Sequence, residues 1–385
     1  VMMSIENKLS KGLEQERDEV LLHTGPHHDD ISLGILPHIT NQLHEPTNKA
    51  HFSVLTSGFT AVTNTFVIET LQQTKKLLDI GKIQMVHFED FFEVGYRLKT
   101  DKEVYNYLTN VASEDADQRF RGLCHRVVRA LVIVYDIKNK TQLRETINDV
   151  ISILKNSYDG EKNSSKVQKL KGMIREFEEE LVWAHFGVQV KNVHHLRLGF
   201  YTGDIFTEQD RDVEPIVEMF RKVNPTKISL TLDPEGSGPD THYKVLQATA
   251  AAVKKWGEEA DISKLRIIGY RNVWFKFEPH EVNVIVPVSL GDMSVMEDSF
   301  ANCYMSQVNA SFPSYSHNGK FSTVAKRIWV DQLDTIQLLL GKNYFYQHDR
   351  AKVRSSHGLI FFRDMSVKEF LATARELEKS IEGML

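Results

Sequence analysis

Short apolar runs closed by glycine or proline alternate with stretches of helical spacing along most of the chain. The first run, Glu19 to Thr24, stops at Gly25-Pro26 and predicts a buried strand ending in a turn. A second run, His51 to Leu55, is closed by Thr56-Ser57-Gly58. From Thr60 to Ile80 the apolar residues Phe66, Val67, Leu71, Leu77 and Leu78 recur as on a helix that stops at Gly81, the residue a helix C-terminus favours. Ile83 to Phe88 then reads as a third strand. Strand and helix alternating in this way predict an α/β fold, a mostly parallel sheet with helices on both faces.

From about Phe91 to Trp183 the pattern changes to long helical periodicity, broken by the polar run from Asp159 to Ser165. This stretch, 91–183, is expected to be a helical insertion within one α/β domain spanning 1–385. Alternation resumes with Lys227 to Leu232 as a strand, a glycine-rich turn from Asp233 to Gly238, and a helix from about Asp240 to Trp256. Further strands are expected at Leu265 to Tyr270 and Val282 to Val288. The last helix opens on a capping box, Ser366 to Glu369, and places Phe370, Leu371, Ala374, Leu377 and Ile381 on one face.

Composition narrows the function classes. With 47 Lys and Arg against 52 Asp and Glu, the 385-residue chain carries a net charge of −5 spread without a basic stripe. Nucleic-acid binding as its main business is therefore excluded, while a small polar ligand is not. Cys124 and Cys303 have no CxxC partner, which fits a reducing compartment and rules out a disulfide framework. No apolar run approaches the length of a membrane span, and the opening Val1-Met2-Met3-Ser4-Ile5-Glu6 has no basic-then-apolar leader. The expectation is a cytoplasmic protein with a small-molecule substrate and no membrane span, and the helical insertion could form a homo-oligomer interface.

The densest chemistry is Gly25-Pro26-His27-His28-Asp29-Asp30, directly after the first strand. In a doubly wound sheet ligands sit at the carboxyl ends of the strands, which is where this loop falls. The same residues would also suit a turn whose Asp caps the next helix and whose histidines face solvent. A second cluster, Asp233 to His242, again follows a strand and leads into a helix. Facing one another, the two loops supply the imidazole and carboxylate groups of an open zinc site, with three protein ligands and a water.

On these residues, together with Leu55-Thr56-Ser57-Gly58, the chain resembles the LmbE/PIG-L family of zinc-dependent N-acetyl-sugar deacetylases. It is most similar to the subgroup whose first motif reads Pro-His-His-Asp-Asp, found as the C-terminal domain of glucosamine-6-phosphate deaminase-like proteins. The resemblance implies a Rossmann-like fold and a hydrolase that removes the acetyl group of an amino sugar or its conjugate. It makes His27, Asp30 and His242 the ligands of Zn2+, or of Fe2+ in its place, and Asp29 the general base. The Ser306-Gln307 pair resembles a late His-x-Ser-Gln element of the family.

Two departures stand out, one being His28 in place of the proline that usually follows the family's first histidine. The family's second motif is His-x-Asp-His, and Pro239 stands where its first histidine belongs. The acid or oxyanion role then passes to residues elsewhere, with His194, His195, Arg197 and Arg271 as candidates. His28, Arg197, Arg271 and Asp240 are the candidates for substrate binding. Two alternatives remain at this level: a catalytically altered sugar-binding or regulatory module, and a protein related to amino-sugar-phosphate deaminases.

Overall fold

The structure is a computed structural model that describes residues 2–93, 100–159, 161–198, 207–234, 240–312 and 319–382. The chain divides into two compact units: Val1–Thr56 with Lys191–Phe300 and Ala310–Leu385, and Ser57–Val190 with Ala301–Asn309.

The first unit contains, in chain order, α1 (Met2–Gly12), β1 (Val20–Gly25), α2 (Asp30–Leu43) and β2 (Lys49–Val54). The second unit contributes α3 (Asn64–Asp79), α4 (Thr100–Ala112), α5 (Ala116–Tyr135), α6 (Lys140–Lys155) and α7 (Ser165–His185). The chain then returns through β3 (Val193–His195), α8 (Glu214–Val223), β4 (Lys227–Thr231), α9 (Asp240–Trp256), β5 (Arg266–Tyr270), β6 (Val284–Ser289) and α10 (Leu290–Cys303). A two-stranded ribbon, β7 (Ser311–Phe312) and β8 (Gly319–Lys320), precedes α11 (Phe321–Leu340) and the short α12 (Lys342–Tyr346) and α13 (Ala351–Arg354). The long β9 (Ser356–Ser366) and α14 (Val367–Glu382) follow.

Seven strands form one sheet in the order β3-β2-β1-β4-β5-β9-β6. The first five pair in parallel, and β9 runs antiparallel to both of its neighbours. This is the α/β Rossmann-like fold. Register puts Leu22, Ile228 and Ile267 on one face of the sheet, where they join the core with Val217 and Phe220 of α8 and Val245, Val253 and Trp256 of α9. On the opposite face Gly34 of α2 lies against Tyr270, so close that a Cβ would come within 2.5 Å of the ring. Only glycine permits that approach.

The chain leaves β1 toward β2 and β3, then jumps back to place β4 on the other side of β1. The loops after β1 and β4 therefore diverge from adjacent strands, at the position where open α/β sheets bind ligands. The final capping box forms as expected, with Ser366 and Glu369 exchanging backbone and side-chain bonds.

One expected strand does not form. Ile83–Phe88 is a single 3-10 turn at Gln84–His87, and the sheet's third strand is Val193–His195. Burial of Ile83 and Val86 explains the misleading pattern, because a short apolar run records burial without specifying strand pairing. The preceding helix, α3, packs on α5 and α6 of the helical unit. The 91–183 stretch lies within that unit, which also includes Ala301–Asn309. Among the described residues no helix is long and apolar enough to cross a membrane.

Candidate metal centre

The loop after β1 and the first turn of α2 present His27 and Asp30, and the first turn of α9 presents His242. His27 Nδ1 stands 3.2 Å from Asp30 Oδ2, and His242 Nε2 stands 3.3 Å from each of these atoms. The three atoms thus form a nearly equilateral triangle. Tetrahedral ligands on bonds of about 2.0–2.1 Å lie about 3.3–3.4 Å from one another, so the triangle has the dimensions of one face of a zinc coordination tetrahedron. His27 remains partly exposed while Asp30 and His242 are buried, which leaves one side of the cluster accessible.

Further side chains hold this triangle. Asp233, in the loop after β4, accepts from His242 Nδ1 at 2.7 Å and so turns Nε2 toward Asp30. Asn272, just beyond β5, donates to Asp30 Oδ1 at 2.7 Å, while the His27 backbone N–H donates to Oδ2 at the same distance. A carboxylate on the far nitrogen of a ligand histidine, and a donor on the second oxygen of a ligand carboxylate, are the outer contacts that fix metal ligands in place. Neither Asp233 nor Asn272 was singled out for this role from the sequence. The signal lay in topology, since Asp233 and Asn272 follow the neighbouring strands β4 and β5.

Electrostatics fit the same purpose. Burial alone would raise the Asp30 carboxyl, but the adjacent His242 and His27 hold it well below the usual carboxylate range. For His242 burial favours the neutral ring, and Asp30 and Asp233 outweigh it, raising its pKa to about 10. Two carboxylates crowd one imidazole here, so the cluster attracts positive charge. A divalent cation can take the place of the proton they retain.

The other predicted residues differ in their surroundings, and none belongs to the triangle. Asp29 is buried to 9% exposure and occupies the N-cap position of α2, but its side chain makes no capping bond. His28 is fully buried, with its ring stacked 6.0 Å from that of His195 at the carboxyl end of β3. His194 pairs instead with His51 on β2, and burial beside Lys222 lowers its pKa to about 4. Arg197 is exposed with a φ of +53°, and Asp240 is exposed at the start of α9. Arg271 is engaged: it bonds the Leu232 and Lys276 carbonyls, pairs with Glu281 at 3.0 Å and lies 3.9 Å over the Phe277 ring. In the aromatic-rich segment from Tyr270 to Phe277, Tyr270 is buried and donates to the Thr24 carbonyl, while Trp274 is 40% exposed. Pro239 and the Gly236-Ser237-Gly238 turn lie outside the described residues.

The Ser306-Gln307 pair belongs to the helical unit. The Ser306 N–H and hydroxyl donate to Glu178 at 2.6 and 2.9 Å, and the Gln307 amide donates to the Ala61 carbonyl. Glu178 sits on α7, whose buried positions also include Arg175, Glu179 and Glu180.

No family model matches the chain. Among curated proteins it is similar to a protein of Bacteroides thetaiotaomicron named glucosamine-6-phosphate deaminase-like, with 28% identity over 178 residues. The match covers 44% of this chain and 26% of that protein, so the chain aligns with about a quarter of the relative's length.

Proposed function

We propose that the chain is a metal-dependent amide hydrolase that removes the N-acetyl group of an amino sugar or its conjugate, as its resemblance to LmbE/PIG-L deacetylases implies. The observation that carries this reading is the triangle of His27 Nδ1, Asp30 Oδ2 and His242 Nε2, with sides of 3.2–3.3 Å, at the switch point of the sheet. Two imidazoles and one carboxylate, with an accessible fourth direction, are a donor set for catalytic zinc or iron(II). A divalent ion held there supplies Lewis acidity and makes water a nucleophile near neutral pH.

The chain's own residues supply the rest. Asp233 keeps His242 turned toward the centre, and Asn272 keeps the second oxygen of Asp30 occupied. Asp29 follows His28 in the same loop, and its side chain is not committed to capping α2. It serves as the general base, accepting a proton from the attacking water and returning it to the departing amine.

The relative's name favours a second reading, an amino-sugar-phosphate deaminase, which would release ammonia where a deacetylase releases acetate. Elemental analysis of the purified chain beside His242→Ala tests the centre. About one zinc or iron per chain, absent from the variant, is expected. Failure of the unmutated chain to take up metal, even when zinc is supplied, overturns the hydrolase reading. Assays of acetate and ammonia release from N-acetylglucosamine and glucosamine-6-phosphate then separate the two chemistries.

A further inference from the structure

Two outer contacts on neighbouring loops hold the candidate metal ligands: Asp233, after β4, on His242, and Asn272, after β5, on Asp30. Both loops lie beyond the sheet, because the register of β4 and β5 ends at Thr231 and Tyr270. One further backbone bond follows, from the Leu232 N–H to the Tyr270 carbonyl at 2.7 Å. Gly269 makes room for Leu232 at this step, since a Cβ there would lie 2.5 Å from Leu232 Cδ2.

A side chain makes the next connection. Arg271 Nε donates to the Leu232 carbonyl at 3.0 Å. That carbonyl and the Asp233 Cα belong to one planar peptide unit, so the bond helps set where the Asp233 side chain begins. Arg271 is also the residue directly before Asn272, and its own placement sets where the Asn272 side chain begins. One guanidinium therefore links the backbones that carry both supports.

The guanidinium is anchored on its other side as well. Nη1 donates to the Lys276 carbonyl at 2.9 Å, and Nη1 and Nη2 reach the two Glu281 oxygens at 3.2 and 3.0 Å. The group lies 3.9 Å over the buried Phe277 ring, and the Arg271 side chain is only 8% exposed. Glu281 is fixed in turn by the Glu278 N–H at 2.7 Å. The planar fork of an arginine can serve the Leu232 carbonyl and both Glu281 oxygens at once, which the single nitrogen of a lysine cannot do.

We propose that Arg271 is a positioning residue of the metal centre. By tying the Leu232 carbonyl to Glu281 and to the Lys276 carbonyl, it holds the loops after β4 and β5 in fixed relation. Asp233 and Asn272 then keep His242 and Asp30 turned toward one point. The inference rests on the metal-dependent reading of the site and extends it, because loss of this one side chain loosens the supports of two ligands together.

Chelator competition for zinc on the full chain tests it, with Arg271→Met, Arg271→Lys and Arg266→Met beside the unmutated protein. Zinc affinity is expected to fall about tenfold or more in Arg271→Met, the scale of a lost outer contact, and to fall in Arg271→Lys as well because lysine has no fork. Arg266 is the control: it pairs with Asp364 at 2.9 Å at the amino end of the same strand, so its loss removes a similar ion pair and should leave affinity unchanged. The visible absorption of the Co2+-loaded chain, which reports ligand geometry, should change in both Arg271 variants and not in Arg266→Met. A merely structural brace would lower the melting temperature of the metal-free chain and leave the affinity and spectrum of the folded protein alone, and that result overturns the proposal. An equal loss of affinity in Arg266→Met also overturns it. If Arg271→Met does not fold, Arg271→Lys, which keeps the charge and most of the length, carries the test. Zinc held equally by Arg271→Lys and the unmutated chain overturns this inference alone, whereas an unmutated chain that binds no zinc overturns the hydrolase reading and this inference with it.

Discussion

Asp30 in the sheet unit and Glu178 in the helical unit are both enclosed carboxylates, at 4% and 0% exposure, and their surroundings do opposite things to them. Asp30 faces two imidazoles and is held ionised. For Glu178, burial outweighs Arg175 and Ser306 and raises the pKa above the ordinary carboxylate value. The partners also differ in kind. Around Asp30 the ligand-type atoms converge on a shared point, and imidazole nitrogens can exchange a proton for a metal. Around Glu178 the partners are a guanidinium at 2.6 Å, a hydroxyl and a backbone N–H, none of which can ligate a cation.

The rest of the helical cluster follows suit. Arg126 bridges Glu180 and Glu103, Arg129 also binds Glu103, and Glu179 accepts from Tyr304 and Trp183. Buried charge alone therefore does not mark a site. What marks one is a set of acceptors gathered around a single point with too few cations among them.

Four experiments sharpen this contrast. The largest effect is expected at Asp29: Asp29→Ala should retain metal by elemental analysis while acetate release falls about 10²–10⁴-fold, the usual worth of a general base. Arg175→Met should act in the other sense, lowering stability in urea denaturation by about 3–5 kcal/mol because it strands a buried carboxylate. Metal content should not change in that variant, and a lost metal would dissolve the distinction between the two clusters. Next comes the support of the triangle, where Asn272→Ala or Asp233→Ala should weaken zinc binding about 10–100-fold in competition with a chelator. If affinity is unaffected, the outer contacts do not hold the ligands.

The smallest effect is a pH dependence outside both clusters. His23 on β1 bonds Ser229, and burial lowers its pKa to about 3. The unfolded chain binds a proton there below about pH 6.5 and the folded chain does not, so stability is full above that pH and falls as pH drops toward 3. Between pH 7.5 and 5.5 this group alone should cost about 1.4 kcal/mol. Urea midpoints at the two pH values should converge for His23→Phe relative to the unmutated chain.

The legibility of these features in the sequence differed by region. Both loops of the centre could be read because each joins an apolar strand to a helix and carries several ionisable residues together, and α9 begins at the expected Asp240. Asp233 and Asn272 were harder to assign, because their roles depend on which strands are neighbours, and strand order is not written in local pattern. Ile83–Phe88 misled for the converse reason: the burial of Ile83 and Val86 is real, but a helical unit provides it. Ser306 carries a motif's residue types, yet its position against Glu178 follows from long-range packing that no spacing along the chain encodes. Edge strand β6 was legible despite Pro287, since an edge tolerates a residue that cannot donate on both sides.

The antiparallel β9 has a consequence for how the chain reaches this state. It is wedged between β5 and β6, which precede it by about 90 and 70 residues and do not pair with each other. During synthesis at about 5–20 residues per second, both strands wait several seconds with open edges until residues 356–366 emerge from the ribosome. Val284 to Val288, an apolar edge during that wait, is the segment a nascent-chain chaperone would be expected to shield, and its exposure sets the window in which misassembly competes with completion of the sheet.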